Sequence, residues 1–228
     1  MKVAIIAYTP DPELTIAAAA RLSQSSIEAT QVMENMSPER VDQLLGRLIT
    51  SGHLSPFEHV SFTFAIEGIS RVTSHQLVRH RLASYTQQSQ RYVRVKRPAY
   101  LTPPSISARP ELEARYHEMI HGVHQFYLEM VKEGIPIEDA RYVLPTAMET
   151  QLVMTMNARE LMHACSLRLC LKAQWEIVQL FQMIKDEVEK VAPGIGRELK
   201  PKCYQLGYCD EAESCGIFPT REELAKAK

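Results

Sequence analysis

Hydrophobic and polar positions along this chain repeat with two periods. Residues 2–7 are apolar and branched, as in a buried strand, and "VSFTFAIEG" puts Phe62, Phe64 and Ile66 on one face of a second strand. "RYVRVK" (91–96) and "TAMETQLVMTM" (146–156) read as two more. Elsewhere the spacing is helical. "DPELTIAAAARLS" predicts a short helix. In "SPERVDQLLGRLITSG" Ser37 is the N-cap, Pro38 opens the first turn, Val41, Leu44, Leu45, Leu48 and Ile49 share a face, and Gly52 ends the helix. Ser70 or Thr73 caps a helix to about Arg81, with Gln76 and Arg79 on a common face. Residues 82–91 read as a loop, and "RPAYLTPPSISARP" as a proline-rich loop.

"ELEARYHEMIHGVHQFYLEMVKEG" predicts the clearest helix. Leu112, Tyr116, Met119, Val123, Phe126, Tyr127 and Met130 form its apolar stripe, and Gly134 closes it. His117, His121 and His124 fall opposite, where a solvated polar face is expected. "NARE" is a capping box with Asn157 as N-cap and Glu160 at N3. A helical region follows to about Val191, broken near Cys170–Lys172, with Trp175, Val178, Phe181, Met183 and Ile184 as core. The mixed order of strands and helices, without internal repeat or linker, predicts one α+β domain over 1–228. Its architecture is a central antiparallel-type sheet flanked by long helices, and 198–228 read as a less ordered, cysteine-containing tail.

At 228 residues, 45% apolar and 23% charged, the chain is long enough for a substantial core. No stretch is suited to spanning a bilayer, and Asp11 and Glu13 directly follow a short apolar start, so no membrane association and a cytoplasmic location are expected. Five cysteines without a secretory signal predict reduced thiols. Cys165 and Cys170 read as small buried residues. Cys203, Cys209 and Cys215 follow C-x5-C-x5-C, but zinc sites favour closer pairs and a fourth ligand, so no metal is expected.

Charge changes the picture more. The formal net charge is −1, yet Gly68–Pro110 contains eight positive residues and no acid, leaving 18 positive and 27 negative residues elsewhere. Such a segment attracts anions. Ser, Thr and Gln are set among its arginines, which suits directional bonds to a small phosphorylated ligand better than to a nucleic acid polymer. Arg94, Lys96, Arg97 and Arg109 are expected to pair with carboxylates instead. The chain has neither G-x-G-x-x-G nor a Walker loop.

Four ordered stretches carry a resemblance. "RHRLASYTQQSQR" fits R-H-R-x-x-S-x(4)-S-x-R throughout, preceded by "GHLSPFEHVSFTF" and followed by "ARYVLP" and "MNARELMHACSLRLCLKAQWEI". Over roughly residues 40–195 the chain resembles flavin-dependent thymidylate synthases. Thr86 and Gln87 stand where Asn and Glu are commoner in that family. The resemblance implies a homotetramer with sites shared between subunits. It implies FAD as cofactor, NADPH and 5,10-methylenetetrahydrofolate as co-substrates, and methylation of dUMP to dTMP without a cysteine nucleophile. It implies FAD contacts for Ser55, Arg79, His80, Arg81, Gln87, Asn157, Arg159 and His163. It implies dUMP contacts for Gln76, Arg79, Gln87, Ser89, Arg91, Arg141 and Arg168, with Arg91 the phosphate anchor and Arg168 the chief catalytic residue. His53 would help position folate or NADPH, and the Glu58–His59 pair would order its loop. The rival readings are a non-catalytic phosphate- or RNA-binding module using the basic segment 71–97, and a zinc hydrolase using the histidine trio or the tail thiols.

Overall fold

The computed structural model describes residues 1–23 and 25–226. Its strands are β1 (Lys2–Tyr8), β2 (Ser61–Ser70), β3 (Ala83–Gln87) and β4 (Glu149–Asn157), in one sheet of order β1-β2-β4-β3. Backbone bonds run antiparallel: Ala158 N donates to Val60 O while, at the other end of the same pair, Arg71 N donates to Met148 O. The helices are α1 (Pro12–Leu22), α2 (Ala29–Asn35), α3 (Pro38–Thr50), α4 (Arg71–Leu77), α5 (Pro104–Ser107), α6 (Pro110–Lys132), α7 (Ile137–Ala140), α8 (Ala158–Arg168), α9 (Trp175–Val191), α10 (Pro193–Gly196), α11 (Lys202–Leu206) and α12 (Arg221–Lys226).

The chain divides into two compact units. The first comprises Met1, Ile66–Arg79 and Tyr85–Val153; the second comprises Lys2–Ala65, His80–Ser84 and the residues from Met154 onward. In the second unit α9 packs on β1, and α1 and α8 pack on the 3-10 turn Ser55–His59. Phe57, Phe62, Phe64, Leu161, Leu180 and Phe181 are fully buried there, each worth roughly 2–3 kcal/mol by removal from water. Gly52, at φ +73°, ends α3 in a conformation that L side chains rarely adopt. In the first unit Ile66, Ile69, Leu77, Ile120, Tyr127 and Met148 form the core.

Several elements differ from the sequence expectation. The segment 82–91 contains strand β3, whose five residues "ASYTQ" lack an apolar alternation because it is an edge strand. "RYVRVK" is irregular: Tyr92 N and Val93 N both bond back to Ser89 O, and Tyr92 is exposed. The helix capped by Ser70 stops at Leu77, so Arg79 lies beyond its end. Helix α2 is an addition. In α9 the buried apolar residues are Ile177, Leu180, Phe181, Ile184 and Val188, with Trp175, Val178 and Met183 only half-buried.

Helix α6 is rotated relative to the expectation. Its buried residues are Ile120, His124 and Tyr127, so the packed face takes Tyr127 from the predicted apolar stripe and His124 from the histidine trio, while His121 is exposed. His124 is 2% exposed, with Nε2 at 3.0 Å from Val95 O, and the His117 ring lies 5.6 Å from that of Tyr100. The helix also meets the segment 95–101 through two tyrosines: Tyr127 Oη accepts from Val95 N (3.2 Å) and Tyr116 Oη donates to Leu101 O (2.9 Å). Leu112, Met119 and Phe126 of the apolar stripe are exposed.

Candidate functional site

The first unit gathers the polar residues of the acid-free segment into one network. Gln87, at the end of β3, donates from Nε2 to Ser74 Oγ (2.9 Å) and Thr150 Oγ1 (3.1 Å). The Ser74 hydroxyl proton goes to Arg71 O at 3.0 Å. Ser74 must therefore accept from residue 87, which orients the amide with its nitrogen inward. A carboxylate there would require Ser74 to turn its proton away from the helix start, so Gln suits this hydroxyl arrangement.

Arg71 is a residue to which sequence reasoning assigned no role. It extends Nη2 to Gln88 O (2.8 Å), and Gln88 N is bonded to Gln151 O (2.9 Å). The loop presenting Ser89 and Arg91 is thus held at its start. Burial, then the nearby Arg141 guanidinium, lowers the pKa of Arg71, and its Nε is buried without a protein partner. Two guanidiniums repelling one another in this way mark a place for an anion. Arg141 donates Nε to the Glu138 carbonyl (3.0 Å), while the Glu138 carboxylate takes Arg91 as an exposed ion pair. Arg91 N is capped by Ser89 Oγ at 3.1 Å. Gln76 is half-buried on α4 and Arg79 is exposed just past it.

Against expectation, Arg94, Lys96, Arg97 and Arg109 have no carboxylate partner among the described residues, whereas Arg91 of the same segment pairs with Glu138. Arg94 and Arg97 line a cavity of about 290 Å³ together with Gln88, Ser89 and Thr150.

The second unit is organised around His80, which is 5% exposed. Arg168 Nε donates to His80 Nε2 at 3.0 Å, so the neutral ring carries its proton on Nδ1. That nitrogen faces Glu160 Oε1 at 3.4 Å. Burial first, then the charges of Arg168 and His163, hold the His80 pKa down to about 4. Burial raises that of Glu160, opposed by His163. The rings of Phe181 (6.0 Å) and His163 (6.3 Å) flank the imidazole. A carboxylate, a neutral imidazole and a guanidinium form one chain of contacts, with the Nη groups of Arg168 left to meet a ligand.

The capping box is half of what the sequence suggested: Asn157 Oδ1 accepts from Glu160 N (2.8 Å), but the Glu160 side chain goes to His80. Asn157, Arg159 and His163 share a cavity of about 640 Å³ with Leu54, Leu82 and Met162. Arg159 is paired with Glu58 at its rim. Ser55 and Arg81 are exposed. The apolar walls match a flat aromatic ring system, and the amide, imidazole and guanidinium match its polar edges and attached phosphates, so this wall composition fits a flavin dinucleotide.

No group of three or more His, Cys, Asp or Glu side chains among the described residues is placed to hold a metal ion, and no helix is long and apolar enough to cross a membrane.

The family model described as thymidylate synthase complementing protein matches residues 4–194. A flavin-dependent thymidylate synthase of Geobacter sulfurreducens is 45% identical over 219 residues, covering 95% of this chain and 94% of the relative. The proteins of that name from Clostridium tetani and Pyrococcus abyssi are 43% and 42% identical, covering 95% and 99% of this chain and 93% and 97% of their own. Among solved structures, a UMP/dUMP methylase, PolB, from Streptomyces cacaoi bound with 5-Br dUMP is similar. Its TM-score is 0.79 at 26% identity, covering 86% of this chain and 93% of that one.

Proposed function

The chain belongs to the family of flavin-dependent thymidylate synthases, and from that premise we propose that it methylates dUMP to dTMP. The carbon comes from 5,10-methylenetetrahydrofolate and the reducing equivalents from NADPH. Bound flavin would supply those equivalents to the transferred carbon.

The observation that carries the reading is the Glu160–His80–Arg168 chain. It fixes a half-buried guanidinium through its Nε. Set beside a uracil, that cation favours negative charge at N3 or O4 and so makes C5 nucleophilic. His80, neutral at working pH, positions Arg168 and carries no proton in the chemistry. Arg91, Arg141 and Arg71 suit the nucleotide phosphate, with Ser89, Gln76 and Gln87 as hydrogen-bonding groups. Asn157, Arg159 and His163 would hold the flavin, with Ser55, Arg79, His80 and Arg81 as further contacts. Ser89 donates no proton to an adjacent base and is a binding residue. Cys165 is wholly buried with its thiol pKa pushed up, which accords with chemistry free of a cysteine nucleophile.

A homotetramer follows the same reading. Leu112, Met119 and Phe126 recur every seventh residue on α6 and are 43%, 60% and 53% exposed, a seam of the kind that helices pack through. The proposed compartment is the cytoplasm. The comparisons lend no support to a non-catalytic phosphate- or RNA-binding module.

Purified protein is expected to be yellow, to be bleached by NADPH more readily when dUMP is present, and to form dTMP once methylenetetrahydrofolate is added. A colourless protein that takes up no added flavin would overturn the proposal.

A further inference from the structure

Four of the five cysteines meet at one place. Cys170, Cys203, Cys209 and Cys215 all line a cavity of about 370 Å³ in the second unit. None is in a disulfide. Three come from the tail. Helix α11 carries Cys203 and packs on α8, and Gly207, at φ +74°, turns the chain behind it. Cys209 N bonds to Pro219 O (2.7 Å), and the Tyr204 and Phe218 rings meet edge to face at 5.0 Å. Residues 202–220 thus fold back as a knuckle with few buried apolar side chains of its own.

The fourth thiol is Cys170, two residues beyond Arg168. The tail clasps this loop: Cys170 Sγ lies 4.0 Å from Glu211 Oε1, and Lys172 Nζ lies 3.1 Å from Glu213 Oε2. The tail spacing alone lacked a fourth ligand, and the fold brings one.

We propose that Cys170, Cys203, Cys209 and Cys215 bind a soft divalent metal ion of the zinc class, forming a closed structural centre that ties the tail to the loop following Arg168. Thiolates select such an ion over magnesium or calcium, and four of them complete a tetrahedral set at about 2.3 Å from the metal. Among the described residues no three ligating side chains yet surround a common point, so binding draws the knuckle inward onto Cys170. Lys172, Lys185, Lys200 and Lys202 on the same wall offset the surplus negative charge of a tetrathiolate centre.

The test is cadmium titration of the full, reduced, chelator-treated chain. One equivalent should bind with a thiolate-to-cadmium charge-transfer band and a raised melting temperature, and protein isolated without chelator should contain one equivalent of zinc. Cys170→Ser and Cys215→Ser, at positions that are not fully buried, should each weaken binding by about tenfold or more. Three results would overturn the site: no band from folded protein, an undiminished band in Cys170→Ser, or disulfides among the four thiols with no metal uptake. None of these readouts depends on flavin or on catalysis.

Discussion

Arg168 owes its poise to two side chains that arrive from other parts of the sequence. His80 accepts its Nε–H, and Glu160 faces the far side of that ring. The imidazole is an orienting acceptor only while neutral, and burial beside a cation keeps it so. Arg168→Ala should reduce dTMP formation about 10²–10³-fold, the usual effect of removing one preorganised donor, while flavin stays bound at one equivalent. Preserved turnover would remove Arg168 from the chemistry. His80→Gln, which retains an acceptor but loosens the geometry, should cost on the order of tenfold in kcat, with a smaller change in dUMP affinity; equal losses in both would make His80 a binding residue instead.

At the scale of elements, α6 and β3 are informative because their sequence patterns mislead. The heptad-spaced Leu112, Met119 and Phe126 signal an inward face, yet the single chain leaves them exposed. The inward face sets Ile120 and Tyr127 beside His124, because it also meets an irregular segment whose carbonyls need donors, as Val95 O does from His124. On the proposed reading, a second copy covers the exposed apolar seam of this helix. Met119→Asp combined with Phe126→Asp should lower the mass measured by sedimentation below that of the parent while leaving the helical circular dichroism intact. An unchanged mass would place the subunit contacts elsewhere. In β3 the residues are chosen for what they bond rather than for burial. Gln87 spans Ser74 of α4 and Thr150 of β4, so the strand that supplies candidate ligand contacts is pinned from both sides.

For the whole molecule, the buried His80 sets a pH dependence of stability. Its pKa is about 4 in the fold and about 6.5 in an unfolded chain. The unfolded state therefore binds the proton more readily, and acid favours unfolding. The stability is complete above about pH 6.5 and is lost as pH falls toward 4, at about 1.4 kcal/mol per unit. Glu160, with a raised pKa, takes up a proton in the folded state and partly offsets the loss at the lower end. Melting temperatures measured from pH 7 to pH 4 should fall for the parent and fall less steeply for His80→Gln. Parallel profiles would assign the acid sensitivity to other groups.

Much of this protein is legible without its fold. The alternation in 61–66, the cap at Ser70, the break after Arg168 and the acid-free run of arginines all reflect local physics: pleat, capping and charge act over a few residues. The four family stretches likewise named Arg168, Arg91 and Asn157 directly. What local pattern cannot carry is partnership between distant residues. Glu160 reads as a capping-box member until His80, eighty residues earlier, is placed against its carboxylate. Arg71 reads as one more surface cation until Gln88 O and Arg141 are set beside it. The tail thiols read as three residues of a tail until the fold lines one cavity with them and Cys170. The sequence by itself determined which chemical groups are present and which elements carry them. The tertiary structure alone decided which of them meet, because burial and proximity, not order along the chain, set hydrogen-bond partners and protonation states.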